Sequence, residues 1–169
     1  MTASPVLEVV DHGTVLRFSI EDLMRYHGPC FPGGVAHGYT AMARALPLLS
    51  PEAPPERREI QLTTAFRGPG ARDAVELVTR AVTEHRYVVD PGLERTDRGN
   101  TLARYVFRFS YRDSAVTVIL NEGFVTDEFI ALSRTDPRSA EQEQQLTVLK
   151  QEMAERLLRA PIDSVYQPV

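Results

Sequence analysis

Residues 101–123, "TLARYVFRFSYRDSAVTVILNEG", decide the fold. Ala103, Tyr105, Phe107, Phe109 and Tyr111 fall on one side of a period-two pattern, with Arg104, Val106 and Arg108 on the other. That alternation belongs to a strand with one face in the core. "RDSA" supplies a turn and "AVTVILNEG" returns as a second β-rich run, so the stretch predicts an antiparallel hairpin with an aromatic face. Such a face must be covered by another layer.

The flanking sequence supplies that layer. Upstream, "EIQLTTAF" reads as a further strand, and "SPEAPPERR" before it is a surface connection because its prolines fix φ and remove donors. "GPGARDAVELVTRAV" places Ala71, Ala74, Val75, Val78, Ala81 and Val82 on a helical stripe, with Asp73 in the first turn where the macrodipole favours an anion. Over 34–49, Val35, Tyr39, Met42, Leu46 and Leu49 recur at three- and four-residue spacing, which predicts a second amphipathic helix. "SIEDLMRYHG" has Ser19 as N-cap, Asp22 three residues on, and Gly28 where the helix should stop. "VLEVV" and "TVLRFS" around "DHG" predict an N-terminal hairpin.

Residues 84–100 carry turn signals at Pro91-Gly92 and Gly99-Asn100 and read as a long loop. Downstream, "TDEFIALS" predicts a short helix and 136–161 a long polar one, with a narrow seam of Leu146, Leu149, Met153 and Leu157 that should bury against the domain or a twin chain. "IDSVYQPV" adds a final short strand. The expected architecture is α+β, an antiparallel sheet with helices packed on one face, in a single domain over 1–169.

Composition narrows the function. The 169 residues are 43% hydrophobic and 25% charged, with a net charge of −4 and arginines dispersed among acids, so there is no basic stripe for nucleic acid. No run approaches the roughly 18 apolar residues of a membrane span. The start "MTASPVLEVVDHG" lacks the pattern of an export signal, and the single cysteine excludes an internal disulfide. A cytoplasmic location is expected.

Chemistry-bearing residues concentrate in 26–46, "YHGPCFPGGVAHGYTAMARAL". His27 and Cys30 have His-x-x-Cys spacing, and zinc accepts imidazole and thiolate together, so both are candidate metal ligands with His37 as a third. On a helix His37 projects about 160° from Tyr39, on the side of Arg44 and away from the core stripe. The structural alternatives are a helix-end imidazole, a small buried thiol and a surface histidine. Cys30 and His27 are equally a candidate nucleophile and base, because a helix N-terminus stabilises thiolate. Gly33 and Gly34, opening the helix, offer backbone N–H groups to a carboxylate or phosphate, with Tyr39 and Asp73 as further candidate ligand-binding residues. On that reading a bulky residue at Gly33 or Gly34 obstructs the ligand and spares the fold. Arg67, Asn100 and Glu122 stand at element boundaries, where sites, caps and salt bridges all occur.

"HGPCFPGGVAHGYTAMARAL", "GPGARDAVELVT", "RGNTLARYVFRFSYRD" and "LLRAPIDSVYQPV" together resemble, in order, the formylmethanofuran dehydrogenase E-subunit family over roughly residues 20–169. His27 matches the first histidine of that family's metal loop. Pro29 stands in place of its second histidine, Phe31 in place of its cysteine, with Cys30 one residue early, and Gly70 in place of a further cysteine. No cysteine follows Cys30, so the zinc-ribbon extension of some members is missing. The resemblance implies a homodimeric small ligand- or metal-binding protein with zinc as the metal. Two roles stay open: a diverged enzyme acting on a small carbonyl or carboxylate compound, or an accessory or assembly protein that has lost the metal.

Overall fold

The computed structural model describes residues 3–169. Strands β1 (Leu7–Asp11) and β2 (Thr14–Phe18) form a separate antiparallel hairpin. His12 and Gly13 at its tip both take positive φ, the geometry of a tight two-residue hairpin turn. The main sheet has five strands, β3 (Ile60–Thr64), β4 (Tyr87–Val89), β5 (Val106–Tyr111), β6 (Ser114–Leu120) and β7 (Tyr166–Pro168), in the order β4-β3-β5-β6-β7. β5 and β6 are the expected hairpin, with Phe107 opposite Val118 and Phe109 opposite Val116.

All pairs are antiparallel except β3–β4, which run parallel. The stretch expected to be a loop therefore contains an edge strand. Three residues are too few to show a period, and the partner, β3, lies across α3 in the sequence.

The alternation in β5 is realised: Phe107 and Phe109 are fully buried and Arg108 is exposed. Against that face lies α2 (Pro32–Leu49), in contact with β5, β6 and β7. The other helices are α1 (Ile20–His27), α3 (Pro69–Thr79), α4 (Gly99–Leu102), α5 (Asp127–Ser133), α6 (Ala140–Arg159) and α7 (Ile162–Val165). α1, α3, α6 and α7 each pack on α2 in turn. α2 is thus the axis of the helical layer, enclosed by the sheet on one side and helices on the others. Its expected stripe is buried, and so are Ala36, His37, Thr40, Ala41 and Ala45 off the stripe.

Two capping boxes start helices, Ser19 with Asp22 for α1 and Ser139 with Gln142 for α6. Gly28, at φ 86, ends α1. The α6 seam of Leu146, Leu149, Met153 and Leu157 is buried within the chain, where α6 packs on α2, so it is not a free surface for a second copy. No helix among the described residues is long and apolar enough to cross a membrane.

Candidate functional site

The residues singled out in 26–46 separate into three environments. His27, at the last position of α1, has a side chain only 6% exposed, and its Nδ1 lies 2.7 Å from Oδ2 of Asp73 on α3. The pair ties α1 to α3, and Nε2 is buried with no hydrogen-bond partner. Cys30 is exposed and free.

His37 is fully buried, which corrects its expected place on the surface. The sequence shows α2's strongest apolar stripe, whereas the fold covers the opposite side as well. Tyr166 of β7 lies 2.7 Å from His37 Nδ1. Burial drives the imidazole pKa down to about 3 and raises the Tyr166 phenol well above its ordinary value. The ring is therefore neutral. With the phenol donating to Nδ1, the ring hydrogen sits on Nε2, which has no partner. The imidazole stacks 4.6 Å from the Tyr105 ring and 5.8 Å from Phe66.

His27 and His37 thus serve different neighbours. Among the described residues no three His, Cys, Asp or Glu side chains gather to hold a metal. One buried nitrogen without a partner on a ring oriented by a carboxylate, as on His27, resembles half of a metal ligand arrangement. His27 and His37, two of the three ligands the sequence offers for zinc, are held in separate hydrogen-bond networks.

Tyr39 is 1% exposed in the core, and its hydroxyl donates to the Pro5 carbonyl at 2.6 Å, which makes it part of the core packing. Gly33 faces α6: a Cβ there would meet Met153 Cε at 2.3 Å. Gly34 faces α3, where a Cβ would stand 3.1 Å from Gly70 Cα. At Gly34 the neighbour is backbone, so the expectation that bulk spares the fold is corrected there, whereas at Gly33 the nearest atom is the flexible end of Met153. Gly34 in addition edges a cavity.

That cavity, of about 370 Å³, is the site sequence reasoning reached only in part. It opens between the starts of α2 and α3, the segment from α4 into β5, α5 as a roof, and α6. Phe31, Phe66, Tyr105, Phe129, Ile130, Leu146 and Met153 give it an apolar interior. Arg67, Arg104, Arg134, Arg138 and Lys150 line it as well, and no carboxylate does among the described residues.

Two of these cations are engaged elsewhere, Arg104 with Glu94 at 3.1 Å and Arg138 with Glu143 at 2.8 Å. Arg134 reaches only the Asn100 carbonyl, at 3.3 Å. Arg67 and Lys150 have no acidic partner within salt-bridge distance among the described residues. α2 and α3 both begin without a side-chain cap or an acidic residue in the first turn, since Asp73, expected in the first turn of α3, falls in its second, and Gly68, Pro69 and Gly70 at the start of α3 belong to the wall. The positive ends of both helices add to the field of the side chains.

A second cavity, of about 360 Å³, lies between the N-terminal strand and the end of α2. Its wall is proline-rich and carries Glu8 and Glu52 with no cation among the described residues, so it offers an anion nothing.

Of the residues expected from sequence, Gly34, Arg67 and Asn100 meet at the first cavity. His27 and Asp73 pair with each other beside it, and Glu122 lies on a shallower surface next to α4. The α5 and α6 contributions, Arg134, Arg138 and Lys150, were missed. Lys150 had a signal: it is the only lysine among 19 Lys and Arg residues.

No protein-family model matches the chain, and no curated protein matches it in sequence. Fold and site define a single-domain α+β protein with a cationic, aromatic-lined cavity.

Proposed function

We propose that this chain binds a small organic anion whose apolar or aromatic body fills the cavity under α5 and whose acid group meets Arg67, Arg134 and the start of α3. On this reading the protein is a ligand-binding relative of the formylmethanofuran dehydrogenase E-subunit family that works without the family's metal loop. The observation that carries it is the sign of the wall: a chain of net charge −4 lines one cavity with five cations and no carboxylate among the described residues. Arg67 and Arg134 are exposed at the mouth of the cavity, where an incoming anion can reach them, whereas the aromatic interior suits an apolar body.

Titration calorimetry with benzoate, phenyl phosphate and neutral benzamide tests it. The two anions should bind and benzamide should not, and affinity should fall as salt is added. Arg67→Ala or Arg134→Ala should each weaken binding roughly tenfold, the scale of one lost charge-assisted hydrogen bond. Equal binding of benzamide, or unchanged affinity in both variants, would remove the reading.

A further inference from the structure

The cavity holds a nucleophile as well as cations. Lys150 is the chain's only lysine; every other basic Lys or Arg position is arginine. Its one place is the cavity wall, where Nζ stands 4.2 Å from the centroid of the Phe31 ring. Arginine would serve as well for charge and better for bidentate anion recognition, but it stays protonated and does not form an imine. An amine at this one position is a chemical difference that the other cations of the wall do not share.

We propose that Lys150 is a carbonyl-reactive amine: its Nζ condenses with an aldehyde or 2-oxo acid, held in the cavity through the ligand's acid group, to give an imine and water. The proposal rests on the anion-binding reading of the same cavity. The free amine's lone pair attacks the carbonyl carbon, and the C=O π pair moves to oxygen, which takes up a proton. The resulting carbinolamine loses water as nitrogen re-forms a double bond to carbon, so ammonium plus carbonyl gives iminium plus water with no oxidant or reductant.

The surroundings favour the free amine that starts the sequence. Burial lowers Lys150 from its ordinary value and Arg138 acts in the same direction, while Glu143, Cys30 and the Phe31 ring face under Nζ oppose them. Arg67 and Arg134 from the other walls add positive charge that a bound anion would neutralise. The ligand's acid group then places its carbonyl beside an amine in a half-enclosed, aromatic-walled space, which raises the effective concentration of the two groups.

The test incubates the full chain with 4-carboxybenzaldehyde, reduces it with borohydride and locates the added mass by peptide mapping, with benzoate binding measured in parallel. The expected result is an adduct on Lys150 that excess benzoate suppresses and that neutral benzaldehyde forms far less. Lys150→Arg should lose the adduct, and benzoate binding to the wild-type chain is the control for the site. Benzoate binding with no adduct on Lys150 overturns this inference and leaves the anion site standing. An adduct formed equally by benzaldehyde and indifferent to benzoate marks a merely accessible amine and also overturns it. Absence of both binding and adduct removes both proposals.

Discussion

His37 shows how far a single residue can depart from its helical-wheel position. Sequence periodicity ranks the faces of α2 correctly, since Val35, Tyr39, Met42, Leu46 and Leu49 are its core stripe, but it carries no information on how many layers surround the helix. The burial has a measurable consequence. An unfolded histidine takes up a proton as pH falls through its ordinary 6.5, whereas native His37 resists until about 3. The unfolded state then binds more protons, so stability falls with decreasing pH across that window, at most about 1.4 kcal/mol per pH unit, and this group contributes no slope above it. Asp11, held down to about 2 chiefly by its hydrogen bond from Arg58, adds a loss only below 3.8. Urea unfolding at pH 7 and pH 5 should show the drop in wild type and a smaller one in His37→Gln. Equal slopes in the two proteins would show that the buried ring is not the source. Lys150 was legible in another way, through its rarity in the composition, a signal that motif and spacing do not register.

Helices and strands were the most legible part of the chain where local chemistry marks them. The Ser19 cap, the His12-Gly13 turn and the β5–β6 hairpin all stand where the sequence places them, whereas the Ser139 capping box of α6 was not read from it. β4 was not legible, because a short parallel edge strand is set by its distant partner. The glycines were legible as a cluster but not in their purpose, since closeness between helices depends on what comes to face them. Their packing predicts a ranking for alanine substitutions. At Gly70 a Cβ would lie 2.6 Å from both the Phe31 carbonyl oxygen and the Val35 nitrogen, backbone atoms that cannot step aside, so Gly70→Ala should cost about 3 kcal/mol. Gly34→Ala meets backbone at 3.1 Å and should cost roughly 1 kcal/mol. Gly33→Ala meets only the flexible end of Met153 and gains helix propensity, so it should stay within about 1 kcal/mol of wild type. Urea midpoints of the three variants check the order, and a Gly33 variant less stable than the Gly70 variant would contradict it.

The whole molecule exposes 8892 Å², close to the roughly 8300 Å² that surface scaling gives for a monomeric protein of its mass. The α6 seam that suggested a partner contributes to this economy by closing on α2. Folding should accordingly need no second chain: the urea midpoint should not move with protein concentration, and a midpoint that rises with concentration would show that association is part of the fold.

Protection is nevertheless unevenly spread over this one core. α2 is enclosed on its sides by sheet and helices, whereas α5, the roof of the cavity, contributes no buried residue. Amide hydrogens of 127–133 should therefore exchange with solvent well before those of 35–46, because opening α5 sacrifices little buried surface. A bound anion that contacts Arg134 and Phe129 would slow that exchange and leave α2 unchanged. The time a ligand spends inside would then be set by how often one short helix lifts, a clock that hydrogen exchange reads directly.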